Sequence, residues 1–149
     1  MAKGIALHVG LNYINPEAYG GWEGVLGGCE NDALAWEALA GKRGFDTWKA
    51  LNEFATSTAV LGEILAAAEQ CEAGDFFIIT YSGHGGQVPD RNNDEPDGKD
   101  ETWLLFDRQV LDDELFAAFS RFKAGVRIVV VSDSCHSGTV TRGPALETH

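Results

Sequence analysis

The chain has 149 residues, 44% of them hydrophobic, enough to bury one core and too few for two, so a single domain spanning 1–149 is expected. Eleven basic against 23 acidic side chains leave a net charge of -12, which repels nucleic acid and anionic lipid and favours a cationic ligand. No run approaches the roughly 18 apolar residues of a membrane span, "MAKGIALHVG" lacks the charged and apolar regions of a cleavable signal, and cysteines at 29, 71 and 135 make neither a disulfide framework nor a CxxC pair, so a soluble protein of the reducing cytoplasm is expected.

The first apolar run, "GIALHVGLN", is continuous rather than alternating, the pattern of a strand buried on both faces. "NDALAWEALA" follows a cluster of capping residues and predicts a helix, and "TWKALN" predicts a weak strand. "TAVLGEILAAAEQ" predicts a second helix with Val60, Leu61, Ile64, Leu65 and Ala68 on one face. "DFFIITYSG" is the next buried strand. Residues 89–101, "PDRNNDEPDGKDE", carry six carboxylates, two cations and two prolines and read as a surface loop. "DDELFAAFSRF", closed by Gly125, predicts a third helix, and "VRIVVVSDS" a last strand. Nothing repeats internally. The order βαβαβ, loop, αβ predicts an α/β fold, a mainly parallel sheet with helices on both faces.

Open parallel sheets bind ligands beyond the carboxyl ends of their strands, and two polar clusters fall at such ends: "YSGHGG" and "SDSCHSG". They make neighbours of His84 and Cys135. A thiol is only a few per cent ionised at neutral pH, and a nearby imidazole can take its proton. The glycines let backbone approach a substrate, and the N–H groups of Gly85 and Cys135 suit an oxyanion hole. Taken singly, a cysteine after a strand is a small hydrophobe and a glycine-flanked histidine a loop residue; taken together, at successive strand ends, they point to a catalytic dyad. His136, beside the cysteine in sequence, is assigned to loop structure. Arg142 follows Cys135 across six residues, a spacing that departs from a phosphatase loop.

On these two blocks the sequence resembles the metacaspases and their bacterial relatives, within the caspase-like cysteine peptidases. His84 precedes Cys135 by 51 positions, near the spacing of about 50 general to caspases. The residue pattern around the caspase nucleophile is Q-A-C, so "DSCHSG" departs from it at Asp133. The likeness extends to "GCEND", "DEPDGKDE" and "DDEL", nearly the whole chain.

The resemblance implies a caspase-like (caspase-hemoglobinase) fold and an endopeptidase cutting after arginine or lysine, with Cys29, Asp32, Ser82 and Asp133 forming the first substrate pocket. Asp133, two residues before the nucleophile on an extended segment, shares its face, and a buried anion there demands a cationic partner. Asp32 reads equally as a helix N-cap, and Cys29 alone reads as core. The chemistry needs no cofactor. Asp90, Asn92, Asp94 and Glu101 fall at EF-hand ligand positions, but Glu95 stands where the loop needs glycine. The family instead implies a Ca²⁺ site from Asp100, Asp112 and Asp113, with calcium as activator; a further family aspartate after the cysteine has no match in "TVTRGPALETH". The family's catalytic domain also continues for two more strands, so the chain is expected to be a large-subunit (p20-like) portion with its last strands missing, paired with a small-subunit (p10-like) polypeptide. Arg142–Gly143 is a bond such an enzyme cuts. A different class of function is a non-catalytic interaction module whose cleft holds basic segments, and a third is hydrolysis or acyl transfer on a non-peptide substrate, which fits the dyad but leaves Asp133 unexplained.

Overall fold

The computed structural model describes residues 2–89 and 99–135, and only the backbone at 87–89, at 99–101 and at Cys135. The strands are β1 (Gly4–Gly10), β2 (Asp46–Leu51), β3 (Phe76–Pro89), β4 (Lys99–Leu104), β5 (Gln109–Leu111) and β6 (Arg127–Cys135). The helices are α1 (Cys29–Lys42), α2 (Ser57–Gln70) and α3 (Asp112–Phe119), with short 3-10 turns at Pro16–Ala18 and Asn52–Phe54. β2, β1, β3 and β6 pair in parallel in that order, and the far end of β3 pairs antiparallel with β4, which pairs antiparallel with β5.

The two faces of the sheet follow from side-chain alternation. Ile5, Leu7 and Val9 of β1 and Phe77, Ile79 and Tyr81 of β3 form one core with Val60, Ile64 and Ala67 of α2 and Leu115 and Ala118 of α3. Phe77 meets Phe119 and Phe122. On the opposite face α1 buries mainly Cys29, Ala33 and Ala40, residues small enough to lie close against β1. α2 starts at a double cap: Thr56 Oγ1 accepts from the Ala59 N–H at 3.2 Å, and the Asp107 carboxylate accepts from the N–H and hydroxyl of Ser57, each at 2.7 Å. A carboxylate there also meets the positive end of the helix.

The α/β class, helices on both faces and a mainly parallel sheet agree with the sequence reading. Four details differ. The sheet is mixed, because β4 and β5 add an antiparallel pair; "KDETWL" carries three charged residues and hides a strand whose apolar part is Trp103 and Leu104. The segment expected to be loop therefore contributes Lys99–Glu101 to β4, and residues 90–98 lie outside the described ones. Leu65 is 40% exposed rather than on the buried face. It sits about 140° around the helix from Val60, while Val60, Ile64 and Ala67 keep to one stripe. α3 stops at Phe119 instead of running on to Phe122.

The last strand departs further. Its valine run predicts burial on both faces, yet Val129 is 43% and Val130 44% exposed. Among the described residues β6 pairs only with β3, so one edge and part of both faces are uncovered.

Close contact between α1 and β1 depends on Gly10, where an added Cβ would lie 2.4 Å from the Cys29 carbonyl oxygen and 2.9 Å from the Ala33 Cβ. The Gly10→Ala substitution is expected to destabilise the domain by about 1–3 kcal/mol through overpacking, although alanine suits a strand better than glycine. Urea unfolding of the two proteins measures the difference.

Candidate active site

β3 and β6 run side by side through the two polar clusters. Their register sets Ser82 opposite Asp133, Gly83 opposite Ser134 and His84 opposite Cys135. Neighbouring strands lie about 4.8 Å apart, so the backbones of the histidine and the cysteine are direct neighbours. The pairing is a consequence of two apolar runs, Phe76–Tyr81 and Ile128–Val131, packing in parallel and delivering both polar clusters to the same end of the sheet.

His84 is buried, its Nε2 is 2.9 Å from the Gly24 carbonyl oxygen, and its ring lies 4.8 Å from that of Trp22. A carbonyl only accepts, so Nε2 carries the proton and Nδ1 holds the lone pair, an assignment made from the geometry. Nδ1 is buried and has no hydrogen-bond partner among the described residues. Burial pulls the imidazole pKa below its ordinary value, opposed by the Gly24 hydrogen bond. Gly24 has φ +56°, and a Cβ there would come within 3.1 Å of the His84 ring. The backbone beneath His84 is held as well: Tyr81 donates its hydroxyl to the His84 carbonyl at 2.5 Å, with the Leu104 carbonyl at 3.1 Å, and stacks on Trp103 at 4.5 Å. A Cβ on Gly83 would meet the Tyr81 hydroxyl at 2.6 Å, which is why that position is glycine.

Next to this pair lies an acidic cluster. Asp32 belongs to the first turn of α1, and its Oδ2 accepts from the Ser82 hydroxyl at 2.7 Å. The helix begins at Cys29 with Gly28 in the cap position, so the N-cap reading of Asp32 does not hold. Ser82 and Cys29 are buried, whereas Asp133, expected to be a buried anion, is exposed beside Ser82 across the ladder, because β6 has a neighbour on one side only among the described residues. Among the described residues neither Asp32 nor Asp133 takes part in an ion pair, which leaves both carboxylates open to an incoming cation. Gly85 continues β3 and stands opposite Trp103 of β4. The sequence reading missed Trp22 and Gly24, which lie in a loop with no periodicity, and also Asn12 and Asn52. The only trace of Gly24 is the density of glycines between residues 20 and 28.

Over residues 5–144 the sequence matches the metacaspase, peptidase C14 domain. The chain belongs to the metacaspase family. It is 32% identical to Metacaspase-1 of Schizosaccharomyces pombe, over 89% of this chain and 33% of that protein, and 32% identical to Metacaspase-1 of Mycosarcoma maydis, over 96% and 38%. It also resembles the crystal structure of a protein from Geobacter sulfurreducens, with a TM-score of 0.84 and 55% identity over 93% of this chain and 53% of that one. The chain thus spans about a third of the length of these curated relatives and about half of the solved one.

In this metacaspase domain the residues considered for a metal lie at the far end of the β4–β5 ladder. Thr102 pairs antiparallel with Leu111, so Asp100, two residues before Thr102, and Asp112–Asp113, just after Leu111, leave the ladder at the same end. Asp112 and Asp113 are half-buried in the first turn of α3. No group of three or more metal-binding side chains occurs among the described residues, which do not include the Asp100 carboxylate. Asp90, Asn92, Asp94, His136 and Arg142, and the Glu101 side chain, also lie outside them.

His8 is a second buried histidine; its Nδ1 is 2.8 Å from the Thr80 hydroxyl, and burial lowers its pKa too, against an opposing pull from Glu37. Both imidazoles have folded-state values below the unfolded 6.5, so the unfolded chain binds more protons just below that pH. The stability associated with them is present above pH 6.5 and lost as pH falls through the lowered values. The thermal midpoint is expected to hold steady from pH 8 to about 6.5 and to drop between about 6.5 and 5, before ordinary carboxylates titrate. Thermal unfolding across a pH series checks it.

Proposed function

We propose that this metacaspase domain forms the large-subunit part of a cysteine endopeptidase that cuts proteins after arginine or lysine. The observation that carries the reading is the β3–β6 register, which aligns His84 with Cys135 and Ser82 with Asp133 while Asp32 hydrogen-bonds Ser82. The Gly24 carbonyl holds Nε2–H and leaves the Nδ1 lone pair to take the proton of the Cys135 thiol. The sulfur attacks the carbonyl carbon of the scissile peptide, the backbone N–H groups of Gly85 and Cys135 stabilise the oxyanion, and collapse expels the amine, which takes the proton from Nδ1. Water, deprotonated by the same nitrogen, then hydrolyses the thioester and frees the thiol.

Asp32 and Asp133 draw in the cationic side chain that precedes the cut, with Ser82 and Cys29 completing the pocket. Two carboxylates without an ion-pair partner among the described residues, in a chain of net charge -12, support a basic rather than an acidic side chain. In the complete enzyme, Cys135→Ala is expected to abolish cleavage of an arginyl fluorogenic peptide, and turnover retained by that variant rejects the assignment. Labelling with an arginyl chloromethyl ketone separates this reading from a basic-segment binding module: an adduct on Cys135 marks the enzyme, and binding without adduct marks the module.

The same proposal assigns a small-subunit polypeptide to the uncovered side of β6. Val129 and Val130 are exposed on opposite faces of that strand, and an apolar groove of about 200 Å³ lined by Trp103, Leu115, Phe116, Phe119 and Val130 runs beside it. Among the described residues the other edge of β6 has no partner, and a strand edge with bare valines is a surface that a further strand completes.

For the regulation we propose a Ca²⁺ site built from Asp100, Asp112 and Asp113. Hard carboxylate oxygens suit Ca²⁺, and the β4–β5 ladder places all three positions at one end. When bound, the ion would neutralise the cluster. Ca²⁺ is expected to raise arginyl-peptide turnover by the complete enzyme and to bind the Cys135→Ala protein in calorimetry, with both effects lost in Asp112→Asn. A flat response in both measurements removes the site.

A further inference from the structure

Helix α1 supplies Asp32 to the acidic cluster, and the way its first turn is held is unusual. Its cap position is Gly28, which offers no side chain. The cap comes instead from Asn12, beyond the end of β1: its Oδ1 accepts from the N–H groups of Cys29 at 2.8 Å and Glu30 at 3.2 Å. The backbone N–H of Asn12 in turn donates to Asn52 Oδ1 at 2.7 Å, and Asn52 Nδ2 donates to the Glu30 carboxylate. The bonds close a ring through the ends of β1 and β2 and the start of α1.

Two further contacts tie the end of β1 to its neighbours. Gly10 lets the Cys29 carbonyl lie directly on β1, and the N–H of Leu11 donates to the Ser82 carbonyl at 3.0 Å. Asn52 is buried and has φ 52°, the one non-glycine residue with positive φ among those described. Such a conformation is disfavoured for a residue with a side chain and persists where its surroundings hold it. A serine or aspartate at position 28 would cap the helix locally. A cap that reaches from β1 does something more, because it ties the helix end to the sheet that carries Ser82.

We propose that Asn12 and Asn52 are positioning residues that fix the Asp32 carboxylate against Ser82 and so set the enzyme's preference for a cationic side chain. The proposal rests on the peptidase reading above. Neither amide touches substrate. They act by holding residues 29–32 at a fixed distance from β3.

The test uses the complete enzyme as wild type, Asn12→Ala, Asn12→Asp and Asn52→Gly, with two readouts: KM and kcat on an arginyl peptide, and the rate of Cys135 alkylation by iodoacetamide, which has no side chain to place in the pocket. Glycine accepts the backbone conformation of residue 52 freely, so a purely conformational role predicts an unchanged or more stable Asn52→Gly enzyme. The clasp predicts an arginyl KM raised about fivefold in Asn52→Gly and Asn12→Ala, the fold-change of losing a helix cap, with the alkylation rate unchanged. Asn12→Asp keeps the acceptor and is expected to restore KM. A wild-type KM in Asn52→Gly, an Asn12→Asp enzyme as impaired as Asn12→Ala, or parallel loss of alkylation and KM overturns the proposal. A wild-type enzyme that leaves the arginyl peptide uncut while alkylating at Cys135 overturns the peptidase reading itself, and the specificity role goes with it.

Discussion

The parallel pairing of β3 with β6 is the constraint on which the rest depends. Two apolar runs lie side by side from Phe76↔Arg127 onward, and this ladder sets which residues meet beyond it. A slip by one residue would turn His84 to the other face and put Ser82 opposite a serine. The core enforces the correct pairing: Phe77, Ile79 and Tyr81 must face α2 and α3 to be buried, which leaves Ser82 on the side of α1, where it meets Asp32. Hydrophobic burial on one face therefore positions polar groups on the other.

That division explains which parts were legible in the sequence. Continuous apolar runs flanked by glycine identify β1, β3 and β6, and the polar residues that end β3 and β6 come together because parallel strands end on the same side. β4 and β5 were not legible: "KDETWL" has too much charge for a strand signal, and its place is set by pairing with the far half of β3 rather than by its own preference. Leu65 misleads for a related reason, since an apolar residue next to a buried stripe is not thereby within it.

Within the candidate site, the residues that carry charge or a reactive atom were visible and the ones that hold them were not. His84, Asp32, Ser82 and Asp133 stand in short polar clusters. Gly24, Trp22, Asn12 and Asn52 act across 60, 62, 17 and 40 positions of sequence through carbonyls, amides and a ring. No local pattern encodes such partners. Their roles follow from tertiary closure, when the chain after β1 folds back over the end of β3.

The Gly24 contact has a consequence for how such a centre can change. Where a carboxylate orients a histidine, one substitution deletes it and alters the charge beside the ring. Here the orienting atom is a peptide oxygen, present whatever residue occupies the position, so no side-chain replacement removes it as an acceptor. The hydrogen bond that orients the ring is adjustable only by reshaping the loop that aims that oxygen, which makes loop length and glycine content, rather than an acidic side chain, the inherited variable of its orientation.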